Sequence, residues 1–150
     1  MRNSPQVIGE FCRVLRDAGI DIFESGSTLN WVPMGMYWDD KTIDELTLPE
    51  GIESIEMNAF SGSSLRKINL PDSLETIMDC AFSNCSNLKE IVLPQKSLTS
   101  LAYGLFIHTP IERVYFKGTM DEWRNVESSL FNYNTKLKTV SCLDGVVDIL

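Results

Sequence analysis

A period of 22 to 23 residues dominates this sequence and restricts its fold more than any other feature. Three segments align: "IDELTLPEGIESIEMNAFSGSS" from Ile43, "LRKINLPDSLETIMDCAFSNCSN" from Leu65 and "LKEIVLPQKSLTSLAYGLFIHTP" from Leu88. A fourth begins at Ile111 with "IERVYF" and then departs. Self-similarity at such a spacing marks a chain that coils. Each period makes one turn that cannot bury its own apolar flank, so successive turns must stack.

The chemistry of each position then follows. In "LxxIxL" the apolar residues alternate, which places Leu46 and Leu48, Ile68 and Leu70, Ile91 and Leu93, and Val114 and Phe116 inward on a strand. Pro49, Pro71 and Pro94 follow at once and end each strand, because proline has no amide donor for the ladder. Ile52 and Ile55, Leu74 and Ile77, and Leu98 and Leu101 form the return side of the coil. Ala59-Phe60, Ala81-Phe82 and Leu105-Phe106 fill the core, one large aromatic per coil, and Ser, Asn and Gly close the turn. An extra residue between Pro94 and Leu98 is expected as a bulge on the outer side.

Stacking puts the intervening residues in columns on the solvent face. One column reads Glu45, Lys67, Glu90, Arg113, and its neighbour reads Asp44, Arg66, Lys89, Glu112. In the first column the sign alternates at every rung, which favours one register and also cancels the field a charged binding stripe would need. The uncharged column Thr47, Asn69, Val92 and Tyr115 is the better candidate contact line.

These segments, above all "LTLPEGIESIEMNAF" and "INLPDSLETIMDCAFSNCSNLKEIVLP", resemble the BspA-type leucine-rich repeats of bacteria and some protozoa. The resemblance covers residues 43 to about 116. It extends towards the end through "VYFKGTMDEWRNV" and "LKTVSCLDG", which look like the closing module that follows such repeats. It implies a mainly β, short right-handed solenoid with a parallel sheet. It also implies an adhesive or interaction role, since family members are described as surface proteins that engage host proteins or other cells.

Open solenoid ends expose apolar surface and unpaired backbone, so both ends should carry atypical caps. The expected organisation is an N-terminal cap over 1–42, repeats over 43–116 and a C-terminal capping module over 117–150. In the first, Ser4 and Pro5 start an amphipathic helix whose apolar face holds Val7, Ile8, Phe11, Cys12 and Leu15, with Gly19 as its stop. A hairpin around "ESGS" is expected next. The cluster "WVPMGMYWDD" reads as a plug against the first coil. Its rival reading is an exposed aromatic contact surface, with Trp31, Tyr37 and Trp38 as candidate binding residues. At the other end, Thr119 or Asp121 should cap a short helix that packs Trp123 on the last coil. Leu137, Val140 and Cys142 repeat the strand spacing, so a fifth strand is expected.

Composition excludes several classes. A net charge of −8 opposes nucleic-acid binding, which needs a basic stripe to displace counterions. No stretch approaches the roughly 20 apolar residues of a membrane span. The first apolar run, "VIGEFCRVL", is broken by Glu10 and Arg13, so no secretory signal is visible. The chain is expected to be cytoplasmic, or at the cell surface or secreted if trimmed from a larger parent. Cys12, Cys80, Cys85 and Cys142 make no CxxC pair and read as packed thiols rather than zinc ligands or disulfides. His108 sits in a turn with no marked nucleophile beside it, no phosphate-binding glycine loop occurs, and "WDDKTIDE" lacks the calcium-loop pattern. The expectation is a non-enzymatic protein-interaction module without metal or cofactor. A fragment of a bacterial surface adhesin or carbohydrate-binding protein is the alternative. The partner would be a protein or host surface ligand, and weak self-association is a further expectation.

Overall fold

The computed structural model describes residues 31–95, 104–125 and 136–149. Along the chain these form β1 (Trp31–Val32), β2 (Glu45–Thr47), β3 (Ser54–Ile55), β4 (Lys67–Asn69) and β5 (Thr76–Ile77). Then come β6 (Glu90–Leu93), β7 (Arg113–Phe116), α1 (Met120–Arg124), β8 (Thr139–Cys142) and β9 (Gly145–Asp148).

The "LxxIxL" segments lie side by side, in register, as the parallel strands β2, β4, β6 and β7 of one six-stranded sheet. Leu46 faces Ile68, Ile68 faces Ile91 and Ile91 faces Val114, so the inward residues form adjacent rungs. A one-residue slip would turn every one of these buried side chains to solvent, which fixes the register. Val140 adds the next rung on β8, the expected fifth strand. β9 was not anticipated: the chain reverses at Leu143-Asp144 and pairs antiparallel with β8. The return side forms a second parallel sheet in the order β1-β3-β5, burying Val32, Ile55 and Ile77.

A third side closes each coil, and its geometry is set by paired corners. Gly35 and Asp39, Asn58 and Gly62, Cys80 and Asn84, and Gly104 and His108 all have positive φ, between 54° and 73°. Each pair brackets one aromatic ring: Tyr37, Phe60, Phe82 and Phe106. Gly, Asn, Asp and His tolerate the left-handed region, which explains most of these identities; Cys80 is the exception. The corners bring the third-side backbones into a ladder of their own. Tyr37 N donates to Ala59 O at 2.7 Å, Phe60 N to Ala81 O at 2.9 Å and Phe82 N to Leu105 O at 3.2 Å.

The four rings consequently stack through the core. Centroids are 4.6 Å apart for Tyr37 and Phe60, 5.1 Å for Phe60 and Phe82, and 5.9 Å for Phe82 and Phe106, with interplanar angles of 8–14°. Tyr37 is therefore the first rung of the phenylalanine ladder, and the segment expected to plug the first coil is itself a coil. Its second apolar signal, Trp31-Val32, pairs with Ser54-Ile55 in the manner of the later repeats. The period was masked there because Tyr replaces Phe and Met36 replaces Ala.

α1 carries the expected cap: Thr119 Oγ1 accepts from Glu122 N at 3.2 Å while Thr119 N donates to the Glu122 carboxylate at 2.7 Å. Trp123 is buried and meets Phe116 at 5.3 Å, tilted by 56°. The expected N-terminal helix, the expected hairpin around "ESGS", the expected bulge after Pro94, and Leu98, Leu101 and Cys12 lie outside the described residues.

Candidate functional site

The solvent face of the six-stranded sheet carries three side-chain rows whose composition follows from the register. The outermost row holds Asp44, Arg66, Lys89 and Glu112 just before the strands. The next holds Glu45, Lys67, Glu90 and Arg113, aligned strand to strand as the sequence implied. Together they form an interlocked ion-pair lattice. Arg66 bonds Asp44 through Nε and through Nη2 at 2.7 Å, and reaches Glu45 at 3.8 Å. Glu90 takes Lys67 at 3.7 Å and Arg113 at 2.6 Å. Glu112 takes Lys89 at 3.8 Å, Arg113 at 3.6 Å and Lys136 at 3.8 Å. The hydrogen bond from Arg66 holds the Asp44 carboxyl below its ordinary range, and the bond to Glu90 raises the Arg113 guanidinium. Each charge here is spent on a neighbour within the sheet.

The third row is Thr47, Asn69, Val92 and Tyr115, in direct register across β2, β4, β6 and β7. Asn69 Nδ2 donates to Thr47 Oγ1 at 2.9 Å, so the polar end of the row is tied together. Tyr115 is 41% exposed. The row runs further than the sequence reading took it: Ser141 follows opposite Tyr115, and Val146 on β9 lies opposite Ser141 and is 59% exposed. An Asp144-Gly145 pair flanked by apolar residues was the available signal for that hairpin.

The aromatic candidates at the first coil divide. Trp31 is 43% exposed and Trp38 is 65% exposed, so both remain available for contact. Tyr37 does not: it is fully buried against Phe60, and its candidacy as a binding residue is corrected. The aromatic at the centre of each corner pair points into the core; at the first coil the following residue, Trp38, is exposed, whereas its equivalents Ser61 and Ser83 are buried and bonded to each other.

The histidine and cysteines are dispersed. His108 is exposed at a left-handed corner. Cys80, Cys85 and Cys142 are free thiols, and Cys85 is fully buried with Sγ donating to Phe60 O at 3.0 Å. Burial pushes the Cys85 thiol up, against the activation a nucleophile needs. Among the described residues no group of three or more His, Cys, Asp or Glu could hold a metal ion. No helix among them is long and apolar enough to cross a membrane.

Stacked coils, a parallel sheet in register with the repeat and an apolar ladder inside define a mainly β leucine-rich repeat solenoid. The family model for the BspA type leucine rich repeat region matches six copies over residues 23–138, and the chain belongs to that family. The match begins before Ile43 and continues past Phe116, in agreement with the coil built around Tyr37 and with the strand at Val140. No curated protein and no solved structure matches the chain.

Proposed function

We propose that the protein is a non-enzymatic protein-binding module that takes its partner on the solvent face of the six-stranded sheet, along Thr47, Asn69, Val92 and Tyr115. The observation that carries this reading is the contrast between rows. Two rows of charge are neutralised internally, while the uncharged row beside them grows more apolar towards an exposed tyrosine. Partially exposed tyrosine is favoured at contacts because it offers rigid area with a polar tip. Six strands at ~4.8 Å span about 24 Å, a face of a few hundred Å². Stable complexes bury roughly 800 Å² per partner, so this row alone supports weak binding or shares the load with adjoining surface. In the same reading, the N-terminal helix and the segment after Phe116 act as caps.

A photo-crosslinking residue at position 115 should trap a partner that the same residue at Met57, exposed away from this sheet, does not. Tyr115→Ala should then weaken that complex by about 2 kcal/mol, the scale of a contact anchor. Equal trapping from both positions would exclude the sheet face.

A second reading, a fragment of a bacterial surface adhesin or carbohydrate-binding protein, is favoured by the exposure of Trp31 and Trp38 on one coil. Sugar rings stack on such indoles. A glycan array with Trp31→Ala and Trp38→Ala variants tests it, and binding that survives both changes would remove it.

A further inference from the structure

We infer that the outer edge of β9 is a docking edge for an extended peptide strand in which basic residues flank an apolar one. This goes beyond the contact row, because the recognition is by backbone. β9 is the last strand of the six-stranded sheet, and among the described residues nothing pairs with its far side. In an antiparallel pair the hydrogen-bonded positions alternate. Ile149 N donates to Lys138 O at 2.7 Å, which fixes the phase. Residues 145, 147 and 149 therefore bond to β8, and the amide and carbonyl groups of Val146 and Asp148 point to the free edge.

The same two residues present their side chains on the solvent face, since Val146 lies opposite Ser141 and Asp148 opposite Thr139. Asp148 and Val146 give the edge an acidic and an apolar position, and a second exposed carboxylate stands in the turn just before β9, at Asp144, whose Oδ1 also accepts from Met120 N at 2.8 Å. Natural edges are blunted by lysine, proline or a bulge, and β9 has none of these in "GVVD". Along the adjoining row the signs run Glu45, Lys67, Glu90, Arg113, then neutral Thr139, then Asp148. Among the described residues no cation pairs with Asp148, so a cation is what the next strand would supply. β-Strand addition to an exposed edge is an established mode of peptide recognition, with affinity from the main chain and specificity from alternate side chains.

A second copy fits less well. Antiparallel pairing of two β9 strands centred on Val146 would set Asp144 against the other copy's Asp148 on both sides. Centring on Asp148 would set that residue against itself, and centring on Val147 would set Val146 against Asp148. None of these supplies a cation, and like charges directly opposite are unfavourable.

The test is an amide NMR titration of the full chain with a capped Lys-Val-Lys-Val-Lys peptide, and with its Glu counterpart. The Lys peptide should shift the amides of Val146 and Asp148 and protect them from exchange; the Glu peptide should not. Val146→Pro removes an outward-facing donor without breaking the ladder to β8, and should weaken binding about tenfold. Asp148→Lys retains the backbone edge and should weaken the Lys peptide about fivefold while admitting the Glu peptide. Shifts centred on Thr47 to Tyr115 instead, equal binding of the two peptides, or no binding at millimolar peptide would each overturn the inference. So would a dimer in sedimentation that Val146→Pro dissociates, since a second copy would then own the edge.

Discussion

Phe82→Ala probes the stack where it has a ring on either side. Phe82 is fully buried, with centroid separations of 5.1 Å to Phe60 and 5.9 Å to Phe106. Truncating a buried phenylalanine costs about 3–5 kcal/mol, combining lost transfer energy with the cavity left behind. The upper half of that range is expected here. The flanking rings are held by their own corner pairs and backbone ladder, so neither can collapse into the gap. Phe82→Leu keeps most of the volume and loses mainly the ring contacts, about 1–2 kcal/mol. Domains of this size are stable by about 5–15 kcal/mol, so the alanine variant should lose a large fraction of its margin. Urea unfolding followed by circular dichroism, read as a shift in midpoint at constant slope, gives both values. If alanine cost under 1 kcal/mol, or leucine cost nothing, the ring contacts would not be coupling the coils.

Four further outcomes are expected. Gly62→Ala should destabilise by about 1–2 kcal/mol in the same unfolding assay, because Gly62 has φ +73°, where any Cβ is strained, and the added Cβ would also displace the Asp39 carboxylate; Cys80→Gly, at φ 58°, should instead relieve strain of about 1 kcal/mol. Cys85, whose thiol is pushed up by burial, contributes stability that is intact below the unfolded thiol range near about pH 8.5 and is lost as pH rises further; stability curves against pH should flatten on the alkaline side in Cys85→Ala. Arg113→Gln should lower the melting temperature at low salt and much less at high salt, since Arg113 joins Glu90 and Glu112 on an exposed face; a loss independent of salt would mean the guanidinium acts by packing.

The repeat made most of the architecture legible before any coordinates. An inward residue every second position, a proline after each strand and one aromatic per turn are local patterns, and stacking turns them directly into rungs. The charge columns were legible for the same reason: Glu45, Lys67, Glu90 and Arg113 are equivalent positions of successive periods. Sequence reasoning failed where a residue was equivalent in geometry but different in identity. Tyr37 occupies the place of Phe60, yet its neighbours Trp31, Met34 and Trp38 made the segment look like a separate cluster. Four of the six residues in the candidate contact row were found from the period alone. Ser141 was within reach of the same spacing, one residue after Val140, and was not carried into the row; Val146 was missed because β9 leaves the repeat and runs the other way.

The corner pairs have a consequence for how such a chain can change. From ring to ring the distances along the sequence are 23, 22 and 24 residues (37 to 60, 60 to 82, 82 to 106), yet every ring sits midway between corners four apart. The five-residue bracket is thus the rigid gauge of the structure, and slack is taken up in the rest of the loop. An insertion of one residue beyond the bracket leaves the spine of rings aligned. The same insertion between the corners would swing a ring out of line and sever the column there, so length changes are absorbed in the loops, outside both the strands and that clasp.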